Sequence, residues 1–305
     1  MEAEMPKTSD FLLTALAPAI WGSTYIVTTE LLPPGLPLTL GLLRALPAGL
    51  ILLVVVRQWP SFAMLPRLFV LGFLNFTLFW TLLFVAAYRL PGGVAATLGA
   101  TQPLIVLFLA RLALGTEIRL MGLVAALGGL VGVGFLVLSP EAVLDPLGIA
   151  AAFGGALSMA AGTVLTRKWQ FPVPPLTLTA WQLTTGGLLL LPLALVFEPA
   201  FPVPSLQNIA GLVWLGVVGG ALTYFFWFRG IAKIGPSRAA ILGFLSPLSA
   251  VLLGWVLLGQ ALSPLQIAGA VLVLASLWLG RSAGRNAANV QPAFVAPENA
   301  KTPAE

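Results

Sequence analysis

The sequence predicts an all-α polytopic membrane protein: ten transmembrane helices arranged as two inverted five-helix repeats around a central cavity. Three observations carry that expectation. Of 305 residues, 59% are hydrophobic and 8% charged, too few charged groups to coat a soluble domain of this size. About ten windows are long and apolar enough to cross a hydrocarbon core about 30 Å thick. Two stretches are also written twice, in the same order along the chain.

The windows run at 11–30, 36–56, 66–87, 91–110, 119–139, 147–166, 175–197, 208–228, 236–258 and 264–280. They are apolar all round rather than alternating in polarity, which is the signature of buried helices and not of barrel strands. Residues 1–10, MEAEMPKTSD, form a short N-terminal segment with three acids against one lysine, and no cleavable signal peptide is expected. Residues 11–139 make the first repeat and 147–280 the second. The tail from 281 to 305 is Ala/Asn/Pro-rich without periodicity and reads as disordered.

Charge placement orients the chain. With a cytoplasmic N-terminus, Lys7, Arg57, Arg67, Arg111, Arg119, Arg167, Lys168, Arg229, Lys233, Arg238, Arg281, Arg285 and Lys301 all fall inside. Arg89 falls outside and Arg44 within a span, while Glu30, Glu141, Asp145 and Glu198 mark the outer connections. Both termini are therefore expected in the cytoplasm of a cell with a bacterial inner membrane.

The repeated stretches are PLTLGLLRALPAGLILL at 37–53 and PLTLTAWQLTTGGLLLL at 175–191, then ATLGATQPL at 96–104 and AILGFLSPL at 240–248. The second pair aligns Gly99 with Gly243 and Pro103 with Pro247. The separation grows from 138 to 144, and the FEPAFPVPSLQN connection after the seventh span is the place to absorb the difference. Because five is odd, the second copy enters the membrane upside down, and inverted repeats place a binding site near the midplane between them. Gly and Pro clusters at 91–93, 103, 235–236 and 247 are candidate flex points.

WGSTYI in the first span, GGVAATLGATQP at 92–103, PSRAAILGFLSP at 236–247 and LGQALSPLQIAGAVLVLASL closing the second copy resemble the paired EamA repeats of the drug/metabolite transporter superfamily. The resemblance covers roughly residues 11–280. It implies a ten-helix bacterial inner-membrane transporter whose fifth and tenth helices lie peripheral to a central cavity, and within the superfamily the YddG-type aromatic amino acid exporters look similar. Members often carry Gly-Glu before the last helix of each repeat. Here the second copy reads Gly259-Gln260, and the first has Glu117, displaced by one residue, in a short loop with Arg111 and Arg119.

The chain has no cysteine and no histidine, which removes disulfides, thiolate or imidazole metal sites and His-dependent catalysis. No acid pair is expected in the membrane either, so an intramembrane enzyme lacks its usual parts, and no metal or cofactor is expected. The expected partners are a small-molecule substrate, amino acids or related metabolites, and membrane lipids, not nucleic acid. A multidrug or lipid exporter and a non-transporting scaffold or sensor are the competing readings.

Polar side chains avoid lipid, so their stripes mark candidate cavity faces. On the first span Trp21, Thr24, Tyr25 and Thr28 share a face, with Pro18 positioned to bend the helix just before them. The third span offers Asn75, Phe79 and Trp80, and the fourth Thr97, Thr101 and Gln102. In the second copy the stripes hold Ser158, Met159, Gly162 and Thr163, then Trp181, Gln182, Thr184 and Thr185, then Tyr224 and Trp227, then Ser246. Rings with a few hydroxyls and amides suit a neutral, partly hydrophobic solute.

Arg44 lies about 12 Å along its span, with no acid on its own helix. Two readings are open: its guanidinium receives a substrate carboxylate, or it snorkels outward or bonds helix-end carbonyls. Its mate in the second copy is Gln182. No Asp or Glu is expected well inside a span, so proton coupling is expected to be absent or weak.

Overall fold

The computed structural model describes residues 7–90, 97–137, 145–259 and 262–282, and the side chains of Tyr25, Thr29, Ala87, Tyr88, Arg281 and Ser282 also fall outside what is described. The described residues are helical with no strand. Nine helices among them are long and apolar enough to cross a membrane: Thr8–Thr28, Pro37–Val56, Phe62–Ala86, Thr97–Leu114, Leu120–Val137, Pro146–Trp169, Pro175–Phe197, Leu206–Ile234 and Pro236–Leu258. A shorter tenth, Pro264–Gly280, completes the set. Helices satisfy every backbone group internally, which lipid demands. Val54, Leu112 and Leu195 stand exposed on the outward faces, the lipid-facing pattern.

Helix ends follow local chemistry. Asp145 caps the sixth helix by accepting from the Gly148 N–H at 2.8 Å, with Pro146 at the first position. Ser205 and Asn208 cap each other at the start of the eighth, at 3.1 and 2.9 Å. The fourth and ninth helices both stop on a left-handed glycine, Gly115 at φ +69° and Gly259 at φ +65°, a conformation that favours residues without a Cβ. These two glycines are 144 positions apart, matching the offset of the second repeated stretch.

The duplication extends to the irregularities. The fourth helix is interrupted at Ala100–Thr101 and the ninth at Gly243–Phe244, each just before its matched proline. The third and eighth helices each widen into a π segment, Phe73–Leu78 and Trp214–Leu222. The preceding α segments, Leu65–Gly72 and Leu206–Val213, are equally long and 141 apart. The seventh-to-eighth connection therefore takes up half of the extra length expected of it. The longer π segment, nine residues against six, takes up the rest. In the first helix the break is at Gly22, four residues after Pro18, where the Gly22 N–H still reaches the Pro18 carbonyl.

Packing shows the inversion. On the second and seventh helices, a Cβ on Gly49 would meet Thr184, and one on Gly187 would meet Leu46. Later residues of one helix face earlier residues of the other, so this matched pair is antiparallel. The fifth and tenth behave alike, with Gly128 against Ser276 and Gly132 against Gly269 and Val273. Small residues let these backbones approach, the usual device where lipid removes the hydrophobic drive between helices. Other contacts come in exchanged pairs: first with eighth and sixth with third, first with ninth and sixth with fourth, second with eighth and seventh with third. That is the pattern of a two-fold axis lying in the membrane plane.

The first helix begins at Thr8, earlier than expected, so Asp10 belongs to the helix and not to the segment before it. It is buried. Below, the terminal face is the one carrying Thr8 and the Gly115 and Gly235 turns, and the far face carries Arg89, Asp145 and Glu198.

Candidate functional site

The centre is built of rings. Trp21 of the first helix lies 4.9 Å from Tyr224 and 5.2 Å from Trp227 of the eighth. Phe76 of the third lies 4.7 Å from Tyr224 and 5.4 Å, edge to face, from Trp80. Phe228, Met159 and Ala45 close the cluster, and Phe79 packs against its rim. Tilted and edge-on rings at these separations are the attractive geometry for aromatic pairs. Five different helices from both repeats meet here.

Arg44 stands in the wall of this cluster. Its guanidinium carbon lies 5.3 Å over the Trp80 ring, a cation–π contact. Nη2 donates to the Gly219 carbonyl at 2.6 Å, Nη1 reaches Thr24 Oγ1 at 3.5 Å, and Nε has no partner. Among the described residues, its partners are a carbonyl, a hydroxyl and a ring, none of them a carboxylate. The Gly219 carbonyl also accepts from Trp21 Nε1 at 3.2 Å and from Thr223 Oγ1 at 2.8 Å. It belongs to the π segment, where the wider i→i+5 turn leaves carbonyls open to side-chain donors. Arg44 thus bonds a carbonyl as one reading held, at mid-helix rather than at a helix end.

The equivalent place in the other copy is an amide cluster. Asn75 Nδ2 donates to Gln182 Oε1 at 2.7 Å and reaches Thr166 Oγ1 at 3.5 Å. Both amides are fully buried. Gly162 leaves space for Asn75, since a Cβ there would overlap its Oδ1. Ser158 donates to the Leu74 carbonyl at 2.8 Å, so this π segment too receives a side-chain donor from the opposite repeat.

Ion pairs between described residues join the repeats at both faces. At the terminal face Arg229 Nη2 donates to Asp10 Oδ1 at 2.6 Å, with the side chains 26% and 8% exposed. At the far face Arg89 Nη1 meets Asp145 Oδ2 at 3.5 Å, 46% and 35% exposed. The offset of 144 pairs Arg89 with Lys233, four residues past Arg229 on the eighth helix. The terminal-face arginine therefore sits a helical turn further in than the position matching Arg89, in keeping with its deeper burial. Glu198 adds to the far-face closure by accepting from the Leu38 and Thr39 N–H groups at 2.6 and 2.7 Å. A cavity of about 420 Å³, lined in part by Leu107, Glu117, Arg119, Arg238 and Gly280, opens at the terminal face.

The hydrogen bond from the Gly148 N–H, and then Arg89, holds the Asp145 carboxyl below its ordinary value. A depressed carboxylate contributes above the ordinary pKa of about 3.9 and is lost as pH falls through the lowered one. The far-face pair is therefore expected to stay closed, and labelling of this face unchanged, from about pH 6 to about pH 8. A cysteine at Leu90, buried at this face, labelled with an impermeant maleimide and normalised at each pH to the rate of a free thiol, measures it.

The sequence signature of the EamA-like transporter family matches twice, over residues 9–138 and 146–280. The chain belongs to the EamA-like transporter family. It is a multi-pass membrane protein, and each half is one copy of the family unit. Protein PecM of Dickeya dadantii is 45% identical over 273 residues, 89% of this chain and 91% of that one. A WAT1-related chloroplastic protein of Arabidopsis thaliana is 29% identical over 85% of this chain and 66% of its own. The uncharacterized inner membrane transporter YedA of Escherichia coli is 28% identical over 81% and 82%. A solved crystal structure superposes with a TM-score of 0.77 at 20% identity, covering 91% of this chain and 99% of that one, which concerns the fold alone.

In this EamA-like chain, Trp21, Thr24, Arg44, Trp80, Met159, Tyr224 and Trp227 come together at the centre. Asn75, Gln182 and Ser158 lie in or beside the amide cluster. Trp181 is placed nearer the terminal face, where its Nε1 donates to the Gln58 carbonyl at 2.9 Å and its ring packs with Leu53 and Leu68. Thr97, Thr101 and Gln102 stand at the break of the fourth helix, with Thr101 bonded to the Leu98 carbonyl, and Ser246 lies at the ninth helix's break beside Gly22. The Tyr25 side chain lies outside the described residues, as does the 91–93 cluster. The stripe pattern missed Phe76, Phe228, Gly219 and the Asp10–Arg229 pair.

Proposed function

We propose that this protein exports small amphipathic metabolites, amino acids including aromatic ones among them, by alternating access of its two inverted halves and without strong proton coupling. The observation carrying this reading is the ring-lined centre shared by both halves, with a clasp between the halves at each face. Ring faces receive a planar or apolar body, while Arg44, Thr24 and the nearby hydroxyls orient a polar end. Opening one clasp while the other holds exposes the centre to one side at a time.

Asp10 is the buried acid of the described residues, and it is bound to Arg229 near a membrane face rather than placed among the central rings. This supports movement down the solute gradient instead of a proton relay. The Lys/Arg bias toward the terminal face supports cytoplasmic termini in a bacterial inner membrane.

Proteoliposomes test the proposal. Saturable counterflow of labelled phenylalanine or tryptophan is expected, with a rate unchanged when the pH gradient is collapsed and the solute gradient is held. Flux that vanishes with the pH gradient would remove the uncoupled mechanism, and absence of any flux would remove the substrate class.

A further inference from the structure

We infer that Arg44, set against the glycines of the eighth helix, is the carboxylate seat of the central site, resting on the transport reading above, so that the charged end of a solute is held in the half of the membrane nearer the far face. The argument comes from comparing the two copies of one ancestral position. Arg44 and Gln182 are matched residues, 138 apart, on antiparallel helices. Each faces the π segment of the opposing repeat's third helix. What differs is what that segment offers.

Opposite Gln182 the segment carries Asn75, whose amide occupies the space and takes up Gln182 Oε1 at 2.7 Å. Opposite Arg44 the segment is Trp214–Leu222, where Gly216, Gly219 and Gly220 lie against it. A Cβ at Gly219 would stand 3.4 Å from Nη2, in van der Waals contact with the guanidinium. No amide side chain meets Arg44 from this segment as Asn75 meets Gln182, so the guanidinium packs against bare backbone.

That cation is incompletely satisfied. A guanidinium has five N–H donors; Arg44 places one well, on the Gly219 carbonyl, and a second at 3.5 Å, while Nε–H has no partner and is fully enclosed. A cation enclosed without an opposing charge is costly, and a planar carboxylate answers it with two parallel bonds. The Trp80 face fixes the guanidinium plane, and Trp21 donates to the same carbonyl as Nη2, so the seat is preorganised by rings on either side. Gly219 contributes through its backbone, since its carbonyl is the acceptor that positions Arg44.

The test compares phenylalanine with phenylalaninamide, which differ in the carboxylate alone. Binding is read by quenching of intrinsic tryptophan fluorescence in detergent, and transport by counterflow in proteoliposomes. The unaltered protein is expected to prefer the carboxylate at least about tenfold. Arg44→Gln is expected to bring the two ligands within about threefold of each other, and Arg44→Lys to keep an intermediate preference, since an ammonium supplies charge without the fork. Gly219→Ala, which leaves the arginine in place, is expected to weaken phenylalanine binding more than that of the amide.

The outcomes separate. Carboxylate-selective binding with no transport keeps the seat and overturns the transport reading. Transport without carboxylate preference in the unaltered protein overturns the seat and keeps transport. An Arg44→Gln protein that still selects the carboxylate overturns the seat as well, and loss of both binding and transport overturns both. Should Arg44→Gln fail to fold, the preference of the unaltered protein and the Arg44→Lys variant decide the matter alone.

Discussion

Gly49→Val is expected to yield little or no correctly assembled protein. Gly49 sits where the second helix crosses the seventh, and a Cβ there would lie 2.5 Å from the Thr184 nitrogen and 2.9 Å from its Cα. These are backbone atoms in a regular helix and cannot swing aside as a long side chain would. Valine adds three carbons to that gap, so the two helices must separate along their whole crossing. Overpacking typically costs about 1–3 kcal/mol and more where the backbone must move. The matched Gly187 meets Leu46 in the same way, so a second substitution cannot be absorbed by shifting the pair. Gly122→Ala is the control, because its nearest neighbour would be Leu107 Cδ2 at 3.9 Å. Size-exclusion profiles and thermal melting of both variants measure the contrast; equal behaviour would show that the crossing is looser than drawn.

The second large effect is expected at the terminal-face clasp. Asp10→Asn leaves Arg229 with its charge partly enclosed and unanswered, because the pair has one side chain 26% and the other 8% exposed. Exposed pairs contribute about 0–1 kcal/mol and truncating one partner of a buried pair costs about 3–5 kcal/mol, so about 2 kcal/mol is the intermediate figure. If that energy holds the face shut, its loss multiplies the open population by about 30-fold, at 1.4 kcal/mol for each factor of ten. The absence of native cysteine makes this measurable with one introduced thiol. In a Met159→Cys background, an impermeant maleimide presented from the terminal side should label more than about tenfold faster after Asp10→Asn. Asp145→Asn should leave that rate alone, and the exchange Asp10→Arg with Arg229→Asp should restore the slow rate. Unchanged labelling after Asp10→Asn would show that the pair is a tie and not a gate.

Much of the architecture was legible because lipid leaves the sequence few options. Ten apolar windows and one duplicated order of motifs suffice to give ten helices and their inversion. The site was harder to read where the helix itself departs from 3.6 residues per turn. From Asn75 a regular helix puts Phe79 on the same face, whereas the π turn moves Phe76 and Trp80 toward the centre and leaves Phe79 at the rim. Nothing in the residues NFTLFW marks that widening. Gly219 was invisible for a related reason: its contribution is a carbonyl, and every residue has one. Asp10 and Arg229 were counted as flanking charges, because a count of positives per face carries no information on which acid each one meets.

Under the uncoupled alternating access proposed above, the unequal π segments have a consequence for how the cycle runs. Had duplication kept both copies the same, the inward and outward strokes would be mirror images, with equal barriers. Three extra residues beside Arg44, and a clasp buried deeper at one face than at the other, make the two strokes pass over different heights. The solute gradient still decides net direction, since no passive device can alter an equilibrium. What the lopsided duplicate sets is tempo: where the protein waits between crossings, and which side therefore finds it ready.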